Sequence, residues 1–168
     1  VVSQAAPDPK FDVGGTMQLR SGRIVGAVIN RIMTEQVYFG SDWKQLQQVL
    51  RESYPGDHVL ITSSSDDLNR HVIFVEGRSA PAGTYQLLDL KASSAIAIGS
   101  PYPKIPAGSV GEQKFVSYVA RDGLTIEAYL TMPPGGAKAN LPAIVFPHGG
   151  PASRDSGGFD WMAQFFAS

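Results

Sequence analysis

The chain has 168 residues and a mass of 18.0 kDa, with 43% apolar and 17% charged residues, a formal net charge of −1 and no cysteine. That length allows one ordinary core or two small ones, and the lack of cysteine excludes a disulfide scaffold, a Cys-ligated metal and a thiol nucleophile. Without a Lys/Arg cluster, neither nucleic acid nor an anionic membrane surface is expected as a partner, and no apolar run approaches the ~18 residues of a spanning helix.

Val1-Val-Ser-Gln4 opens without Met or a basic stretch, so a signal peptide is expected to be absent or removed. Cytoplasm and periplasm both stay open. Residues 11–100 read as short strands around one helix. Strands are expected at Arg23–Asn30, Gln36–Phe39, His58–Ser63, His71–Glu76, Thr84–Asp89 and Ala95–Gly99, all rich in Val, Ile, Tyr or Phe. The helix is expected at Trp43–Ser53, with Asp42 and Gln45 as a capping box and Trp43, Leu46, Val49 and Leu50 as a core-facing stripe.

A faint repeat runs through this part. Arg23, Tyr38 and Asp42 each precede a like residue, Arg70, Tyr85 and Asp89, by 47 positions. That lag suits four-stranded propeller blades, with the helix replacing the outer strand of the first. Ser65-Asp66-Asp67 reads as a blade turn. Ser100–Gly108, with three prolines, reads as a linker.

Beyond it the pattern changes. Lys114–Ala120 and Leu124–Met132 flank the hairpin turn Asp122-Gly123, with Leu124, Ile126, Ala128, Leu130 and Met132 on one face. Leu141–Phe146, a short apolar run bounded by prolines, predicts a fully buried strand. It leads into His148-Gly149-Gly150-Pro151, whose glycines are free to adopt positive φ and bring N–H groups close to a ligand. A buried strand ending in such a turn is how α/β-hydrolases build half of an oxyanion hole. A helix is expected from about Phe159, where Phe159, Met162, Ala163 and Phe166 share helical spacing, and both chain ends read as cut from a larger protein.

Tyr118-Val-Ala-Arg-Asp-Gly-Leu-Thr-Ile-Glu-Ala-Tyr-Leu-Thr-Met-Pro133, followed by Leu141–Pro151 and Arg154-Asp155, resembles the prolyl oligopeptidase family of serine peptidases, nearest its acylaminoacyl-peptidase and dipeptidyl-aminopeptidase-like members. The resemblance implies a mixed architecture: about two antiparallel β-propeller blades and a linker over residues 1–108, then the start of an α/β-hydrolase domain over 109–168. It also implies hydrolysis of short peptides or acyl-peptides through an acyl-enzyme. Gly150 would supply one oxyanion-hole N–H, worth ~2.7–4 kcal/mol in the transition state, with Gly149 shaping the turn. Arg154 would either pin the loop through Asp155 or approach a substrate carbonyl.

The family's nucleophile sits in Gly-x-Ser-x-Gly. Here only Gly77-Arg78-Ser79-Ala80-Pro81 comes near, and it reads as a plain turn. The Ser-Asp-His triad is therefore expected outside this sequence, and the 168 residues alone are expected to be inactive and either oligomeric or dependent on the rest of the polypeptide. His148 precedes the place of the nucleophile, so it reads as scaffold rather than base. His58 and His71 lack ligand-spaced partners; no metal or cofactor is expected. Glu52 has no adjacent carboxylate to hold a substrate amino terminus. An esterase or lipase-like hydrolase and a non-catalytic propeller-containing binding protein remain the alternatives.

Overall fold

A computed structural model describes residues 11–136 and 139–168; Val1–Gln4 lie outside them. The chain divides into two compact units between Pro103 and Lys104, inside the proline-rich segment.

The first unit holds two antiparallel sheets and a helix. Strands β1 (Val13–Gln18), β2 (Ile24–Asn30) and β3 (Thr34–Tyr38) form a sheet in that order. Helix α1 (Ser41–Ser53) follows, and then β4 (Asp57–Ser64), β5 (Arg70–Gly77), β6 (Thr84–Asp89) and β7 (Ser94–Gly99) form a four-stranded meander. The six expected strands all form. Sequence reading overlooked β1, whose Val-Gly-Gly-Thr-Met-Gln composition is a poor strand signal. The expected capping box is also absent. Gly40 takes the N-cap without a side-chain bond, and Asp42 lies inside the first turn, where Ser41 Oγ donates to it at 3.0 Å.

One core joins these elements. Val25 and Tyr38 from the first sheet, Trp43 and Leu50 from α1, and Ile61, Ile73 and Val75 from the second sheet form one buried cluster. Ile73 and Val75 are wholly buried, each worth about 1.5–3 kcal/mol relative to exposure. Leu46 packs on this cluster, whereas Val49 of the expected stripe is exposed. Tyr38 and Trp43 stack at 5.1 Å, with His71 edge-on to Trp43 at 5.7 Å. Gln36 couples the two sheet edges. Its amide donates to Ile61 O and accepts from Ile61 N–H, both at 2.8 Å, as a neighbouring strand would.

In the second unit, β8 (Gln113–Val119) and β9 (Thr125–Thr131) form the expected hairpin, closed by Gly123 at φ 87°. Its regular face stays largely open, with Leu124 and Leu130 exposed, because two strands alone do not bury a sheet face. Helix α2 (Trp161–Ala167) starts at Asp160, whose carboxylate accepts from the Met162 and Ala163 N–H groups at 2.8 and 3.1 Å.

Leu141–Phe146 corrects the expectation of a buried strand. The segment pairs with no described strand, and Ile144, Val145 and Phe146 are 61%, 88% and 49% exposed. The reason is non-local: a central strand needs a partner on each edge and a layer on each face, and the described residues supply neither. Among the described residues no helix is long and apolar enough to cross a membrane.

Candidate functional site

The exposed run ends at Pro147, and the chain turns through His148-Gly149-Gly150-Pro151. Gly150 has φ 147°, a conformation that L side chains rarely adopt; Gly149 is not in the positive-φ region, so only the second glycine uses the freedom both have. A Cβ on Gly150 would sit 3.1 Å from both Ala152 N and Ser153 Cβ. The turn is exposed, and the Gly150 N–H takes part in no hydrogen bond among the described residues. His148 Nδ1–H donates to the Gly149 carbonyl at 2.8 Å, closing a ring within the turn itself. Arg154 Nε lies 3.5 Å from the Asp155 main-chain oxygen, at the long limit of a hydrogen bond.

The other polar candidates have structural employment. Ser79 Oγ donates to the Asp57 carboxylate, and Ser79 N–H meets the same group at 3.2 Å, so this serine ties the end of β5 to the start of β4. His58 Nε2–H donates to Thr34 O at 2.7 Å. His71 Nε2–H donates to Leu68 O at 3.0 Å, and its Nδ1 accepts from Ser64 Oγ at 2.8 Å. Burial pushes His71 below the usual histidine value, against the opposing pull of the Leu68 bond and the Asp67 charge. Asp67 lies in an exposed turn, where bonds from Ser65 and Asn69 hold its carboxyl well below the usual range. Glu52 accepts from Gln48 at 3.0 Å on the helix surface. Among the described residues no three His, Cys, Asp or Glu groups converge on a metal position.

A cleft of about 300 Å³ lies between β3, α1 and β4, lined by Glu35, Tyr38, Gln47, Arg51, Asp57 and His58 among others. It offers no activated nucleophile. Burial pushes the Tyr38 phenol up, and its hydroxyl donates to Gln36 at 3.0 Å.

Two residues that sequence reading passed over bond the backbone on either side of the second unit's long-range contacts. Gln164, only 8% exposed, accepts the Gly111 N–H at 2.7 Å and donates to the Gly111 carbonyl at 3.0 Å. Gln113 accepts the Gly158 N–H at 2.9 Å. A lone polar residue among the apolar residues of Trp161–Ala167 was the available signal for Gln164; nothing local marked Gln113.

No family model matches the chain, and no solved structure matches it significantly. Dipeptidyl aminopeptidase BIII of Pseudoxanthomonas mexicana is 27% identical over 176 residues. The alignment takes in 96% of this chain and 24% of that protein, so the chain spans about a quarter of its relative's length. The chain is thus a distant relative of a peptidase, in keeping with the resemblance carried by the Arg121-Asp122-Gly123 hairpin and the His148–Pro151 turn.

Proposed function

We propose that this chain is part of a serine peptidase that hydrolyses short peptides or acyl-peptides through an acyl-enzyme, and that the Gly150 N–H is one of its oxyanion donors. The observation that carries the reading is Gly150 itself: a glycine at φ 147° after an apolar run, with an exposed N–H that no described group uses. A donor held by backbone geometry needs no reorganisation when charge develops on the carbonyl oxygen, which is what makes such groups effective. The two sheets of the first unit would be propeller blades and the second unit the start of the hydrolase domain. The serine, aspartate and histidine of the triad would come from the rest of a longer polypeptide.

The relative's name speaks of dipeptides and an amino terminus. The carboxylate that could hold an amino terminus here, Glu52, is bonded to Gln48 and has no adjacent partner, so the proposal stays with short peptides and acyl-peptides. The full-length protein tests it, assayed on aminoacyl-p-nitroanilides and on p-nitrophenyl esters, with a fluorophosphonate to label the serine. Peptidase activity with serine labelling is expected. Ester hydrolysis without cleavage of any short peptide would favour an esterase. No activity and no labelling would favour a binding protein.

A further inference from the structure

We infer that Gln164 and Gln113 are positioning residues for the oxyanion turn: Gln113 holds its downstream flank to β8, Gln164 holds α2, which meets its upstream flank, to the segment leading into β8, and together they set where the Gly150 N–H points. The inference rests on the reading of Gly150 as an oxyanion donor.

Among the described residues the turn is held by side chains, since Leu141–Phe146 pairs with no described strand. On the upstream flank, the Phe146 ring meets Phe166 of α2 edge-on at 6.1 Å. On the downstream flank, the Gly158 N–H is bonded to Gln113 on β8. These two anchors are joined to each other through Gln164. It lies on α2, the helix that carries Phe166, and its amide pairs with both main-chain groups of Gly111, two residues before Gln113.

Gly111 is suited to that role. A Cβ there would run into the Met132 carbonyl, and the adjacent Glu112 carbonyl accepts the Met132 N–H at 2.9 Å. The glutamine therefore grips a backbone already packed against the end of β9. A buried amide with both functions satisfied by one peptide unit fixes distance and orientation together. Residues 147–157 form a loop with one end against α2 and the other bonded to β8; loss of Gln113 frees the downstream end, and loss of Gln164 lets α2, with the upstream end, shift against the hairpin.

Q164E supplies a readout that plain destabilisation does not. A protonated carboxyl can accept from the Gly111 N–H and donate to its carbonyl, as the amide does. The ionised carboxylate can only accept and meets the carbonyl oxygen as a repulsive neighbour. In the full-length protein, Q164E is expected to lower kcat about 10- to 100-fold at neutral pH with KM little changed, the scale of a small misplacement of a catalytic group. The ratio of variant to wild-type kcat should then climb as the pH falls and the introduced carboxyl takes up its proton. Q113A, which removes a single bond at a half-buried surface, should lower kcat in the same sense without a pH-dependent ratio.

Backbone nitrogen-15 order parameters of residues 148–157 provide the second measurement and do not depend on activity. They should fall in both variants while those of the β8–β9 hairpin stay unchanged. Unchanged order parameters, or kcat within twofold of wild type in folded Q113A, overturn the inference; if Q164E fails to fold, Q113A decides. Lower order parameters in a protein whose wild type hydrolyses no peptide or ester would instead overturn the serine-peptidase reading, and with it the catalytic role of the tether.

Discussion

Lowering the pH should weaken the first unit through His71. The imidazole is 2% exposed, edge-on to Trp43, and bonded as a neutral ring: Nε2–H to Leu68 O and Nδ1 to Ser64 Oγ. Desolvation holds its pKa below the value of 6.5 that the unfolded chain shows, despite the Leu68 bond and the Asp67 charge. The unfolded state therefore binds the proton more tightly. Stability is complete above the unfolded pKa and is lost as the pH falls through 6.5 toward the folded pKa. With one proton separating the two states, the slope between those values reaches at most about 1.4 kcal/mol per pH unit. The carboxyls held low by hydrogen bonds, Asp67 and Asp89, lose their contribution only further into acid, so a window from roughly pH 8 to pH 5 keeps them out of the His71 comparison.

The assay is urea unfolding by circular dichroism across that window for wild type and H71Q. Contributions common to both proteins cancel in the difference. At pH 8, H71Q should be less stable by about 1–3 kcal/mol, because a differently shaped amide leaves Ser64 or Leu68 poorly paired in the interior. The gap should narrow steadily below pH 6.5 as only the wild type pays for protonation. Parallel pH profiles for the two proteins would refute the argument, since they would mean that His71 takes up its proton equally well folded and unfolded.

Three further substitutions test other parts of the structure. Ile73→Ala empties a wholly buried site between α1 and the two sheets and should cost about 2–5 kcal/mol, read as a lower urea midpoint at an unchanged m value. Gly83→Ala sets a Cβ into the Phe74 ring at a residue with φ 78°; strain and overpacking together should cost about 2–5 kcal/mol, and a neutral result would mean that the β5–β6 loop relaxes freely. Gly150→Ala in the full-length protein should lower kcat roughly 100-fold with KM retained. A change confined to KM would place Gly150 in substrate binding rather than in stabilising the oxyanion.

The elements that were legible in the sequence are those whose signal is local. The strands β2 through β9 carry β-branched and aromatic runs closed by turn residues, and α1 carries an apolar stripe. The features that escaped depend on partners distant in the chain. β1 has two adjacent glycines and little side-chain surface, yet pairs along β2 because that strand's other edge already holds β3. The Leu141–Phe146 run has strand composition, but burial belongs to neighbours, and composition cannot provide them.

The repeat lag shows the same limit at finer grain. Arg23 and Arg70 are 47 positions apart, whereas the buried residues Val25, Ala27 and Ile29 precede His71, Ile73 and Val75 by 46. A one-residue difference is a change of face in a strand. The bulge at Val25, opposite Met17 and Gln18, accounts for such a slip in the pleat. Of the candidate site, Gly149 and Gly150 were legible as glycines in a turn. The tethers at Gln113 and Gln164 were not, because each acts on a backbone group roughly fifty residues away.

The two tryptophans have a practical consequence. Trp43 is buried against Tyr38 and His71 in the first unit, while Trp161 stands 54% exposed at the start of α2 in the second. Their emission should separate, blue for the sheltered indole and red for the wet one. His71 at the edge of Trp43 makes the blue component a proton-sensitive one as well, since an imidazolium quenches indole. A single chain thus carries an optical reporter in each unit, and Trp43→Phe or Trp161→Phe would assign any spectral change to one of them.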